Sequence, residues 1–589
     1  MNQRIERTPQ TLPVPRHADR RPNPLFVAHL KGTQAEMGAQ HGAMVREVGN
    51  WRPAVEFYPL MPSRLLAAGS PLLRWAIGPV IEWALRRMER RRDPELRARN
   101  KAFLKAVGVT HRWSRYSQVM DVFQNLVNLA AAKGLGPWSK LPLAERVGFH
   151  FPQACSTLVA WGSATEHGNL LHARNFDFPG IGVWDRNPAV VFCTPNQGLR
   201  YGFVSSRGAD VPGITAFNEA GLSITAHTRF HRDATFSGRS IVDLTHDIVR
   251  GAKTLAEAEA IARQTPIAST WGLCISSAAE NRAISLECNS AGVRVIEPGE
   301  GEEWLVVTNH YKSDFSEGQI HISPGFNHNT VGRWSNLTRL GQRGGLSVHD
   351  MQRALCGFED ADVSGFERAG GTITTQAITV QSVVIDPANQ RLNLSVGPAP
   401  TGLGPWHSLD WAWGEEPSYY VERFDGGGAA ALTTHSHARF TGGDEAEAYQ
   451  LYIEAAEELG RGGSPAIAKE HLEEAIALDD ADPVYRLLAG GLALKMKDPA
   501  RALEHFEAGL AREKSPFYRA QLLLWASRAA VAVGGRDEDV VRWREAIAAS
   551  DHAMVADFKR DAEKEATTPV KLGRLKKTSL NFHFAELRL

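Results

Sequence analysis

Two patterns that cannot share one core divide this 589-residue chain. Between about Cys155 and Pro400 short strand-like runs dominate, at 272–276, 283–288, 292–296, 304–308, 377–385 and 391–396. A helical interlude is predicted at 244–264, where Ala, Leu and Ile positions fall on one face. Beyond the glycine-rich stretches that begin at Phe424 and Thr441 the pattern turns wholly helical. There Glu470-His471-Leu472-Glu473-Glu474-Ala475-Ile476 returns 34 residues later as Glu504-His505-Phe506-Glu507-Ala508-Gly509-Leu510, with a looser copy at 540–547. A chain this long exceeds one compact core. The expected organisation is an N-terminal helical segment (1–154), an α+β sandwich core (155–425), a linker (426–444), a helical array (445–555) and a tail (556–589).

Cys155 opens a predicted hairpin. Residues 155–165 are small, β-branched and aromatic, Glu166-His167-Gly168-Asn169 is a turn cluster, and 170–178 resume an extended run. A thiol becomes a nucleophile when a base takes its proton. A cysteine exposed as a new N-terminus carries a candidate base of its own, the α-amine, which titrates near about 7.7–8.0 when unperturbed. Arg174 and Asp177 are an odd number of residues apart, so a regular strand points them to opposite faces. Joint service at one site then calls for a bulge or bend near Asn175. The plain alternative is a small buried cysteine near a strand-end arginine and carboxylate.

Composition narrows the classes. Lys plus Arg equals Asp plus Glu at 66 each, so net charge gives no reason to expect a nucleic-acid partner. The arginines at 86, 87, 90, 91 and 92 are expected to form a solvated helix face. Five cysteines without Cys-x-x-Cys spacing indicate neither a disulfide framework nor a zinc site, and no metal or cofactor is expected. Residues 1–24 lack the apolar stretch of a secretory signal, and the apolar piece at 71–85 contains Arg74 and Glu82 and is too short to span a bilayer. A cytoplasmic protein without a transmembrane segment is expected.

The hairpin and four later motifs resemble the N-terminal-nucleophile hydrolases, in particular the acyl-CoA:6-aminopenicillanate acyltransferase-like group related to choloylglycine hydrolase, penicillin V acylase and phospholipase B-like proteins. They are Cys155 with Arg174-Asn175-Phe176-Asp177, then Asn218-Glu219-Ala220-Gly221-Leu222, Thr308-Asn309-His310, Thr330-Val331-Gly332-Arg333, and the closing pair from Gln381 to Pro400. Residues 27–42 are similar to a segment near the start of precursors in that group. The resemblance implies an αββα sandwich and self-cleavage between Ala154 and Cys155. It also implies roles: Cys155 as nucleophile, Asn309 as oxyanion donor, Arg174 holding the thiolate, Asp177 binding the new α-ammonium and Arg333 completing the polar shell. At the second oxyanion position this chain has Thr225-Ala226-His227-Thr228, which leaves that donor open. His227 and Trp161 stand as weaker substrate-binding candidates, and Trp184, Trp271 and Trp304 as either pocket or core.

The 34-residue offset is similar to tetratricopeptide arrays, which implies a protein partner or self-association; a stabilising lid is the alternative. The expected activity is hydrolysis of linear amide C–N bonds in small N-acyl compounds through an acyl thioester. Transfer of a CoA-borne acyl group to an amine, phospholipase-like ester cleavage, and a non-enzymatic scaffold remain open alternatives.

Overall fold

The computed structural model describes residues 23–57, 71–109, 114–119, 121–132, 154–424, 439, 442–460 and 462–589. Most of the expected linker and most of residues 1–24 lie outside them. In chain order the strands are β1 (Leu25–Gly32), β2 (Ala154–Gly162), β3 (Gly168–Asp177), β4 (Pro188–Pro195), β5 (Tyr201–Ser206), β6 (Thr215–Asn218), β7 (Leu222–Thr228), β8 (Trp271–Ser277) and β9 (Arg282–Asn289). Then follow β10 (Gly292–Ile296), β11 (Trp304–Val307), β12 (Thr379–Asp386), β13 (Arg391–Ser395), β14 (Trp406–Asp410), β15 (Ser418–Glu422), β16 (Ser579–Asn581) and β17 (Glu586–Arg588).

Two large sheets result. One has nine strands in the order β10-β9-β8-β7-β6-β5-β4-β1-β15, the other six in the order β11-β2-β3-β12-β13-β14. They pack face to face, and period-two alternation divides the side chains between the layers. From β2, Val159 and Trp161 face Cys274 and Ala283 of the opposite sheet, while Leu158 and Ala160 join Leu337 and Met351 of the helices behind. Those helices are Pro324–Arg343 and Val348–Ala354. Helices Gln34–Val48, Pro94–Val107, Ile241–Gly251 and Leu255–Gln264 supply apolar side chains to the core that includes the nine-stranded sheet. The layers therefore run helix, sheet, sheet, helix.

Two expectations change, at 244–264 and in the arginine cluster. The single helix expected at 244–264 is two. Asn218 Nδ2 holds the carbonyls of Val249 and Ala252 at 2.9 Å, ending the first helix, and Thr254 caps the second through Glu257 N–H. The boundary at residue 154 divides the chain but not the space, because β1 lies between β4 and β15 inside the larger sheet. In the arginine cluster Arg92 is buried, with Nε 3.3 Å from Asp243 and Nη2 donating to Gln118 at 2.5 Å, so it is not part of a solvated face.

The C-terminal region is a run of helices, each packed on the next: Asp444–Gly460, Pro465–Leu478, Pro483–Lys495, Pro499–Leu510, Pro516–Val533, Asp537–Ala548 and Ala556–Thr567. The recurring segments lie on the second and fourth of these and the looser copy on the sixth. The tail returns as the β16–β17 hairpin. No described helix is long and apolar enough to cross a membrane.

Candidate active site

Cys155 sits at the second position of β2, opposite Phe176 of β3, and is 2% exposed. Each polar atom around it has a partner from a different element. Arg174 Nη2, on β3, lies 3.5 Å from the sulfur. The Cys155 N–H donates to Asn309 Oδ1 at 2.9 Å, just beyond β11, and the Cys155 carbonyl accepts from Arg333 Nη1 at 2.7 Å. Arg333 belongs to the Pro324–Arg343 helix and also donates to Ser156 Oγ at 2.9 Å and Asn309 Oδ1 at 2.8 Å. A guanidinium has donors only, so Asn309 must turn its oxygen toward Arg333 and Cys155. Its Nδ2 then donates to Thr228 O at 3.1 Å, which leaves one N–H for another acceptor.

Asp177 is fully buried opposite Ala154. Thr379 Oγ1 donates to its Oδ1 at 2.6 Å, while Oδ2 has no hydrogen-bond partner among the described residues. Burial pushes this carboxyl up to about 6, against the pull of Arg333, Thr379 and Arg174. The β2–β3 register is unbroken from Ala160 to Ala154, so no bulge forms near Asn175. The irregularity is in β12 instead, between Thr379 and Gln381, and sets Thr379 opposite Asp177. Arg174 and Asp177 thus project from opposite faces of β3 and flank the strand end that carries the cysteine.

Burial also pushes the Cys155 thiol up, opposed by Arg174. Deprotonation in the intact chain therefore needs a base. His227 is a poor one: burial and neighbouring arginines hold it well below the usual histidine range, and its Nε2 lies 3.0 Å from Thr157 Oγ1. It belongs to a polar seam between the sheets in which Thr157 and Thr225 hydroxyls lie 3.0 Å apart and His172 Nδ1 is 2.8 Å from Ser276 Oγ.

Beside Arg174 runs a narrow apolar crevice of about 50 Å³ lined by Phe176, Phe178, Trp184, Ile214, Trp271 and others. Arg174 lies over the Phe176 ring at 4.7 Å and donates to Ile214 O at 2.6 Å, which joins the crevice to Cys155. Trp161 and Trp304 pack in other clusters. Sequence reasoning missed Ser156, Thr228 and Thr379; a sheet register is needed to find them. One described group has metal-ligand chemistry, His328, Asp362 and His552. There His552 Nδ1 accepts from Met554 N–H at 3.3 Å, which puts the ring proton of a neutral His552 on Nε2. That edge faces Asp362 at 3.5 Å, while His328 Nε2 lies 2.8 Å from the same carboxylate, a hydrogen-bonded latch more than an open ligand set.

No family model matches the chain, and no curated protein matches it. Among solved structures, a Caenorhabditis elegans ortholog of N-acylethanolamine-hydrolyzing acid amidase aligns at TM-score 0.29 and 17% identity, over 40% of this chain and 93% of that one. A superposition that loose carries nothing further.

Proposed function

We propose that the chain is a self-processing cysteine hydrolase of the N-terminal-nucleophile kind, acting on linear amide bonds of small N-acyl compounds. The observation that carries this is the triple grip on Cys155: Arg174 at its sulfur, Asn309 at its nitrogen and Arg333 at its carbonyl. A structural cysteine has no need of two buried guanidinium groups. In the intact chain the sulfur attacks the Ala154 carbonyl carbon, the acyl group moves from nitrogen to sulfur, and water hydrolyses the thioester to free the Cys155 α-amine. Asp177 Oδ2, buried and without a partner among the described residues, is the natural acceptor for the resulting ammonium.

In the processed form the α-amine takes the thiol proton and the sulfur attacks the substrate carbonyl. The spare Asn309 N–H faces the developing oxyanion; one such donor is typically worth about 2.7–4 kcal/mol. The protonated amine returns its proton to the leaving nitrogen, and water releases the acid from the thioester. The crevice lined by Phe176, Trp184 and Trp271 favours an apolar acyl group. The C-terminal helices are read as tetratricopeptide-like on the 34-residue offset and the helix-on-helix stacking. Intact-mass analysis of the wild type beside Cys155→Ala tests the reading. Two fragments meeting at Ala154/Cys155 in the wild type and one chain in the variant are expected; an uncut wild type without amide hydrolysis refutes it.

A further inference from the structure

The tail does not hang free. It lies against alternate helices of the array: Tyr452 Oη donates to Phe582 O at 2.6 Å, Tyr518 Oη to Phe584 O at 3.2 Å, and Gln521 binds Ala585 O and Leu587 N–H at 2.8 and 2.9 Å. Leu580 and Leu587 pack onto Gly491 of the helix between. The surface such a stack offers to an extended peptide is thus filled by the chain's own end.

From this tail a line of hydrogen bonds leads to the nucleophile. The His583 carbonyl accepts from Gly371 N–H at 2.8 Å, and the Gly371 carbonyl accepts from Asn329 Nδ2. Asn329 Oδ1 accepts from Arg333 Nε at 3.0 Å, and Arg333 grips Asn309 and Cys155. Every orientation is dictated. Arg333 only donates, so Asn329 must present its oxygen there and its amide to Gly371. The turn has no slack: Gly371 has φ +105°, a Cβ on it would collide with the Tyr518 hydroxyl, and a Cβ on Gly370 would sit 2.6 Å from Phe582 O. Arg368 pins the turn from the other side, donating to Gly370 O at 2.9 Å and pairing with Asp360 and Glu513 at 3.0 and 3.2 Å.

We infer that the tail, seated in the helical array, is a positioning strap for the Arg333 guanidinium, acting through the Gly370–Gly371 turn and Asn329. The inference rests on the role proposed above for Arg333. Asn329, Gly371 and Tyr518 are positioning residues in it, and the array is an internal clamp whose peptide surface is occupied by residues 578–589.

Tyr518→Phe removes one tail contact without touching the site, and Gly371→Ala displaces the turn. Each is expected to lower kcat about 10-fold with KM unchanged, counted per titrated active site, in the range that coupling through packed elements reaches. Tyr518→Phe should cost less than about 2-fold in an Arg333→Lys background, because lysine lacks the fork that Asn329 holds. A strictly additive loss overturns the strap. A second readout needs no activity: in uncut Cys155→Ala, the amide of residue 155 should exchange hydrogen about 10-fold faster when Tyr518→Phe is added, with residues 282–296 unchanged. Unchanged exchange at residue 155 refutes the strap. If exchange responds but no variant cleaves amides, the strap stands and the hydrolase reading falls.

Discussion

Replacing Asp177 by Asn in the uncut chain should stabilise it at neutral pH. The carboxyl is fully buried and, among the described residues, takes one hydrogen bond at Oδ1 and none at Oδ2. Its folded value of about 6 lies about two units above the ordinary 3.8. At roughly 1.4 kcal/mol per unit, ionised Asp177 costs the folded state about 3 kcal/mol. The sign follows from a folded value above the unfolded one: the favourable term is complete below about 3.8 and lost as pH rises through about 6. Urea unfolding of Cys155→Ala and Cys155→Ala/Asp177→Asn, followed at a probe in the sandwich, should coincide near pH 4 and diverge toward pH 7.5. The Asn variant should be the more stable one, by up to about 3 kcal/mol. If both curves keep the same pH dependence, or if Asn is the less stable at pH 7.5, Asp177 already has a cationic partner and its assignment to the ammonium fails.

Arg333→Lys keeps the charge but loses the fork that reaches Cys155 O, Ser156, Asn309 and Asn329 together, so self-cleavage followed by intact mass should slow about 100-fold. His227→Gln preserves a hydrogen-bonding group where the histidine is neutral, and amide hydrolysis should stay within about 3-fold of wild type; a larger fall would make His227 a proton carrier. Arg99 is fully buried, with Nη2 2.7 Å from Asp210 Oδ1 and Nη1 3.0 Å from Tyr201 Oη, linking the Pro94–Val107 helix to residues beyond Cys155. Arg99→Met takes the guanidinium from that buried carboxylate and leaves it His41 Nδ1 at 2.9 Å, at a cost of about 3–5 kcal/mol, so the two fragments expected from self-cleavage should separate in mild urea where those of the unsubstituted protein co-elute.

The strands were legible because alternation and turn clusters are local. The β2–β3 hairpin falls where the turn at 166–169 placed it, and the runs near 272, 283, 292 and 391 are strands within a residue or two of the pattern. Tertiary contacts decided the rest. The break at Ala252–Thr254 depends on Asn218, more than thirty residues upstream, and no helix-period count contains it. Opposed projection of Arg174 and Asp177 was readable from parity, but the slipped register that brings Thr379 to Asp177 belongs to β12, two hundred residues away. What the tail docks on had no local signal, since its carbonyls find their partners only in a folded array.

Charge balance around Cys155 also sets how the α-amine of the proposed processed form should titrate. Arg174 and Arg333 touch Cys155, and Arg229 is buried near enough to feel its charge, while Asp177 is the carboxylate the thiol feels. An α-amine released among these groups meets positive charge and burial, both of which disfavour its protonation, with Asp177 opposing. Its midpoint should fall below the usual value of about 7.7–8.0, which leaves it a base at neutral pH. Asp177→Asn removes this opposing charge, so the acid limb of kcat/KM in the processed protein should move to lower pH by about one unit or more as the plateau drops. Were Asp177 itself the proton acceptor, the same substitution would abolish the limb. A limb that moved to higher pH would mean that the arginines do not govern the amine, and the proposed division of labour at Cys155 would have to be abandoned.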